Sequence, residues 1–276
     1  MSNTFVHLHL HTEYSLVDST LRLKPMIARA KELGMPAIAV TDQFNLFSLV
    51  KFYRAAVAAG IKPIVGADVL IWNPDDPDHP GRLVLLCQDR TGYLNLCRLL
   101  SRAFLDGQHQ GLPFVQREWV REAAEGLIAL SGAREGDVGQ ALINRHPNRA
   151  EQLLRGWMAD FPDRFYIELQ RTGRDDEALH EHQALLLASR LDCPVMASND
   201  VRFLEQDDFR AHDARVCIHQ GRLLSDKGRP QGYSDEQYLK GPDAMREAFH
   251  DLPEALENTL EIARRCNLEL ELGKYY

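Results

Sequence analysis

The sequence has little of what marks the commoner functional classes. Its five cysteines, Cys87, Cys97, Cys193, Cys217 and Cys266, are scattered and form no C-x-x-C pair. That argues against a thiolate metal site and a disulfide scaffold, and for a reducing cytoplasm. No apolar run approaches the roughly 20 residues of a membrane span. Met1-Ser2-Asn3-Thr4 leads straight into an extended stretch, so no signal peptide is expected. No Gly-x-x-x-x-Gly-Lys and no Rossmann glycine fingerprint follows a strand, and a Ser-centred nucleophile elbow is missing too. Positive charge is in deficit, with 32 Lys and Arg against 40 Asp and Glu, a net charge of −8. The isoelectric point is near 5.8. Bulk electrostatics therefore do not favour gripping nucleic acid, although local basic patches remain open.

What is present is a chain of 276 residues with 45% hydrophobic content. That suffices for one large α/β domain, with or without a small appendage. Apolar runs at 5–12, 36–42, 63–72, 83–87, 127–131, 165–169 and 194–200 read as strands. Helical patterns separate most of them, at 24–33, 46–59, 92–104, 119–124, 138–144, 150–161 and 177–190. The stretch 106–111 reads as a polar loop. Strand then helix, about seven times over, predicts parallel strands joined by right-handed crossovers in a closed or nearly closed β/α barrel. Helices at 209–218, 242–249 and 253–266 then form a helical appendage. The expected division is a barrel over 1–206 and an appendage over 207–276. The abrupt stop at Leu272-Gly273-Lys274-Tyr275-Tyr276 reads as the end of a fragment.

In the first strand His7, His9 and His11 alternate with apolar residues, which predicts three imidazoles on one face. His-x-His at a strand end suits Zn or Mn. Such side chains also serve as hydrogen-bonded packing inside a barrel. The C-terminal strand ends, where barrels gather function, further carry Asp42, Asp68, Ser131 and Asp200. Asp42 is read as a helix cap, Asp68 and Asp200 as rim ligands. His180 and His182 lie on a polar helix and are expected in solvent. His212 and His219 are expected to be structural.

Several stretches together carry a family resemblance. They are Phe5-Val6-His7-Leu8-His9-Leu10-His11-Thr12-Glu13-Tyr14-Ser15-Leu16-Val17-Asp18, Ala39-Val40-Thr41-Asp42, Gly60-Ile61-Lys62-Pro63-Ile64-Val65-Gly66-Ala67-Asp68 and Ala197-Ser198-Asn199-Asp200-Val201-Arg202-Phe203. The chain resembles the polymerase-and-histidinol-phosphatase (PHP) family, in the form found at the N-terminus of the alpha subunits of bacterial replicative DNA polymerases of the polymerase III type. The resemblance implies a distorted seven-stranded TIM-like barrel. It implies residual metal ligands at His9, His11, Asp18, Asp68 and Asp200, with Asp68 where the family prefers Glu. It also implies four lost ligands: Gln43, Arg82 and Arg202 stand for His, and Ala133 for Cys. A trinuclear site cannot be built from what is left, so no catalytic residue is assigned. Residual Zn or Mn and doubtful phosphoesterase or exonuclease activity follow. The resemblance further implies a parent DNA-directed DNA polymerase whose Mg belongs to later domains, DNA contacted through that parent, a docked proofreading exonuclease subunit, no membrane, and a monomer in isolation. A free-standing PHP phosphoesterase and an amidohydrolase-type barrel are the competing readings. Arg82 and Arg202 are expected to fill the former metal space and pair with Asp68 and Asp200.

Overall fold

The computed structural model describes residues 4–273 apart from 75, 77, 78, 227 and 231. The leading Met1-Ser2-Asn3 and the closing Lys274-Tyr275-Tyr276 lie outside the described residues. Among the described residues, no helix is long and apolar enough to cross a membrane.

The strands are β1 (Ala37–Val40), β2 (Lys62–Ile71), β3 (Gly81–Cys87), β4 (Gln108–His109), β5 (Leu112–Val115), β6 (Leu127–Leu130), β7 (Phe165–Gln170) and β8 (Val195–Ser198). The helices are α1 (Leu23–Glu32), α2 (Leu49–Ala59), α3 (Arg90–Asp106), α4 (Arg117–Glu122), α5 (Asp137–Ile143), α6 (Pro147–Asp160), α7 (Glu177–Leu191), α8 (Phe209–Gln220), α9 (Pro242–Ala248) and α10 (Pro253–Arg265). Local chemistry explains many of the ends. Asp89 caps α3 by accepting the Gly92 N–H, and proline opens α6, α9 and α10. Gly60, at φ +77°, closes α2 in the left-handed conformation.

β1 pairs with β2, and β2, β3, β6, β7 and β8 follow in order. The extended segment 5–11 closes the ring between β8 and β1. It bridges Leu10 to Val201 on one side, and its His7 carbonyl accepts the Ala39 N–H on the other. Seven extended segments thus surround one interior, as expected of a distorted barrel. The short hairpin β4–β5 replaces the loop expected over 106–111 and joins the end of β2 at Leu70 and Ile71.

Two expectations of strand geometry are corrected. The ring is not all parallel, because β3 runs antiparallel to both β2 and β6. No described helix lies between β2 and β3, so the chain returns directly instead of crossing over. The start of β3 therefore stands at the same rim as the ends of its neighbours, and Arg82, expected just before this strand, lies within it opposite Leu70.

The second correction concerns the first segment, which is not a regular ladder strand. The Ala39 and Thr41 N–H groups, two residues apart, donate to the His7 and Leu10 carbonyls, three apart, at 2.9 Å each. The extra residue is a bulge, and a bulge switches which side chains face inward. Val6 and Leu8 pack with Val84, Leu86, Ile128, Leu130 and Met196 in the barrel. Leu10 packs instead with Met26, Ile38 and Val40 under α1 and α2. His9 and His11 consequently face the interior, while His7 does not share their face. Its Nε2 lies 2.8 Å from the Lys240 carbonyl, and burial lowers its pKa to about 4.

The barrel interior is layered. Its lower half is apolar and is plugged by Ile262, Ala263 and Cys266, on and just after α10. Its upper half is polar, with Asp68, Arg82, Glu168, Gln170, Ser198 and Asp200 following the same strand alternation. Gly66 permits the tight closure between these halves, since a Cβ there would meet the Leu85 carbonyl oxygen at 2.4 Å.

Candidate metal centre

His9 and His11 sit just past the bulge, on backbone held by Thr41 and Asp42. The Thr41 hydroxyl accepts the Leu10 N–H at 2.9 Å. The Asp42 carboxylate accepts the Thr12 N–H at 2.7 Å and the hydroxyls of Thr12, Ser15 and Ser48. Asp42 is therefore not a helix cap. It braces the loop that carries the second histidine.

His9, His11, Asp18, Asp68 and Asp200 come together, all buried. His9 Nδ1 lies 2.8 Å from Glu168 Oε1, and its Nε2 lies 3.6 Å from Asp68 and 3.5 Å from Asp200. His11 Nδ1 meets Asp18 at 3.0 Å, and its Nε2 meets Asp68 at 3.1 Å. Burial disfavours the imidazolium at both histidines, but the carboxylates outweigh it. Glu168 and Asp200 raise His9 to about 10, and Asp18 and Asp68 raise His11 likewise to about 10. Burial also opposes the charge of Asp18, Asp68 and Glu168. Their cationic neighbours win: His11 lowers Asp18, Arg82 holds Asp68 well down, and His9 lowers Glu168.

Arg82 and Arg202 occupy this carboxylate cluster. Arg82 Nη1 contacts Asp68, and its Nε meets Glu135 at 2.7 Å. Arg202 meets Asp200 at 2.5 Å and Asp18 at 2.9 Å, and its Nη1 also abuts His11 Nδ1. Gln43 is held at the mouth through a backbone bridge to Asp68. Ala133 is buried at φ +47° in a tight turn after Gly132.

Sequence reasoning missed a third guanidinium of the pocket, a buried one. Arg174 reaches Asp200 at 3.1 Å and Glu177 at 3.0 Å. Glu168, Gln237 and Tyr233 were also missed; Gln237 donates to Asp200 at 2.8 Å, and the Tyr233 hydroxyl lies 3.4 Å from Asp18. Nothing in the local sequence separates Arg174 from Arg171, which instead pairs outside the barrel with Glu181 and Asp251. His180, expected in solvent, is buried under the barrel wall, with its pKa lowered by burial to about 4. His182 of the same helix is exposed. His212 packs against Phe203, and its Nε2 lies 2.8 Å from the Asp18 carbonyl, the structural role expected.

His9, His11 and Asp68 form a group that could hold a metal ion, with one donor atom from each within 4.8 Å of the others. His9 Nε2 and Asp68 Oδ1 are buried without a hydrogen-bond partner, which fits one divalent ion. The rest of the pocket does not fit a cluster of ions, because three guanidinium groups already compensate its carboxylates. An ion held there by His9, His11 and Asp68 would supply Lewis-acid polarisation.

A family model described as the PHP domain matches residues 7–172. The DNA polymerase III subunit alpha of Pseudomonas aeruginosa is 55% identical over 276 residues, covering 100% of this chain and 24% of that protein. The Escherichia coli K12 subunit alpha is 46% identical over 272 residues, covering 99% of this chain and 23% of its own length. A solved amidohydrolase from Chromobacterium violaceum is 16% identical, with a TM-score of 0.49, covering 78% of this chain and 97% of that one. The chain spans about a quarter of the length of the curated relatives it matches.

Proposed function

Because the chain belongs to the PHP domain family, we propose that it is the PHP region of a replicative DNA polymerase alpha subunit, kept as a scaffold instead of a hydrolase. The observation that carries the loss of hydrolysis is the pair Arg82 and Arg202, set against Asp68, Asp18 and Asp200 where ions would be needed. Water activation requires an ion in open, preorganised coordination, and a guanidinium offers none. The polymerase context is supported by 55% identity across the whole chain. In this reading the parent performs template-directed DNA synthesis with Mg held elsewhere, in the cytoplasm. The barrel over 1–206 and the helices over 207–276 act as one module that docks a proofreading exonuclease subunit, and the isolated chain is a monomer. His9, His11, Asp18, Asp68 and Asp200 are residual ligand positions, able to take at most one Zn or Mn ion. A free-standing phosphoesterase is the second reading, favoured by the unpartnered His9 Nε2 and Asp68 Oδ1.

The chain should show no turnover of a phosphate monoester or a 3′-labelled oligonucleotide with Mn or Zn. Metal-dependent turnover that disappears in a His9→Ala, His11→Ala variant would establish the phosphoesterase instead. Docking is tested separately, by co-purification of the exonuclease subunit with these 276 residues. A requirement for later polymerase domains would remove that part of the proposal.

A further inference from the structure

The chain is acidic overall, yet the solvent face of α1 and α2 reverses that sign. The two helices share a core that includes Met26, Ile27 and Ala30 of α1 and Phe52 and Ala56 of α2. Arg22, Lys24, Lys31, Lys51 and Arg54 stand exposed around them, against one exposed acid on the helices themselves, Glu32, with Glu13 near Lys51 and Glu205 near Arg29 from outside them. Arg29 takes up both Glu32 and Glu205, at 3.4 Å each. Among the described residues, no ion pair involves Arg22, Lys24, Lys31 or Arg54, and Lys51 meets the Tyr14 hydroxyl at 2.8 Å. Several exposed arginines elsewhere are paired, as Arg102 with Glu122 at 3.0 Å, Arg246 with Asp243 at 2.6 Å and Arg264 with Glu261 at 3.3 Å, while Arg90, Arg121 and Arg145 stand exposed singly on other elements.

Unpaired like charges gathered on one face repel one another and attract a polyanion. The same stretch of chain carries an open aromatic side chain: Phe47, just ahead of α2 and four residues before Lys51, is 65% exposed. Cations that track a phosphate backbone, with a free aromatic face beside them, are the elements of single-strand recognition. A duplex hides its base faces, and an acidic protein segment has no stacked bases to offer Phe47.

We infer that the α1–α2 face binds single-stranded nucleic acid, with Arg22, Lys24, Lys31, Lys51 and Arg54 on phosphates and Phe47 stacked on a base. The five cations stand outside the carboxylate pocket, whereas Phe47 lines the cavity at its mouth with Asp18, Gln43 and Arg82; the inference does not depend on whether that pocket hydrolyses anything.

Fluorescence anisotropy of labelled oligo-dT titrated with the 276-residue chain at low salt tests it. The wild type should bind. Lys24→Ala/Arg54→Ala should weaken binding and reduce the slope of log affinity against log salt by about 0.7 per cation removed. Phe47→Ala should weaken it by about fivefold or more. The control Arg246→Ala/Arg264→Ala, on α9 and α10, should bind as the wild type does. Should the first pair not fold, Lys31→Ala/Lys51→Ala reads the same face. The inference is overturned by no binding, by an equal loss in the control, or by equal duplex binding with Phe47→Ala silent. Displacement of the oligonucleotide by polyglutamate, again with Phe47→Ala silent, would make the partner an acidic protein and overturn it too.

Discussion

Arg202 is 1% exposed, and its charge is met from two sides by Asp18 and Asp200. Deleting it leaves Asp18 to His11 and Asp200 to Arg174 and His9, a partial loss of compensation that should cost about 3 kcal/mol, the low end for breaking a buried ion pair. Arg202→Ala should therefore lower the unfolding free energy by that amount, seen as a lower midpoint in urea unfolding followed by circular dichroism. An unchanged midpoint would mean that the arginine is not holding the pocket. The histidines make a second prediction. Their pKa of about 10 in the folded chain lies above the ordinary 6.5. Their stabilising contribution is thus complete below about pH 6.5 and is lost as pH rises through about 10. Chelator-treated chain should become progressively easier to denature over that window. Constant stability across it would contradict the imidazolium–carboxylate pairing. At this scale the sequence was legible where a motif names the position, as for His9, His11, Asp68 and Arg202. It was opaque for Arg174, because only the fold decides which of two neighbouring arginines turns inward.

The elements were legible to within a few residues, since proline, glycine and apolar spacing mark most of the ends. Strand direction and parity were not. Leu8-His9-Leu10 alternates apolar and polar with or without a bulge, so the pattern in the chain cannot reveal the extra residue. The bulge is fixed by pairing with Ala39 and Thr41, which is tertiary information. The antiparallel turn into β3 was foreshadowed by the helix-free stretch before it, but alternation alone does not give direction. α10 also has a role beyond that of an appended helix, because it plugs the barrel. Its Thr259 hydroxyl accepts the buried Val6 N–H at 3.3 Å. Thr259→Ala orphans that donor and should cost about 1–3 kcal/mol in the same unfolding experiment. A loss of only a few tenths would show that α10 holds the first segment by apolar packing alone.

Over the whole molecule, a barrel with a carboxylate-rich rim is completed by its own guanidinium groups. The apolar lower half and the α10 plug hold the strands, so the upper half keeps its shape with Arg82, Arg174 and Arg202 compensating the carboxylates. Fold class was readable from the chain because strand and helix patterns and the family motifs carry it. The way the charge is balanced was readable only in part, because it depends on groups brought in from β3, the loop after β7 and the segment before α9. The most direct test is the metal content of the chain after dialysis against Mn and Zn, compared with a variant carrying Gln43→His, Arg82→His, Ala133→Cys and Arg202→His. The account predicts at most a single weakly held ion in the wild type and a multi-ion cluster in the variant. A full, tightly held cluster in the wild type, with Arg82 and Arg202 still in place, would contradict it.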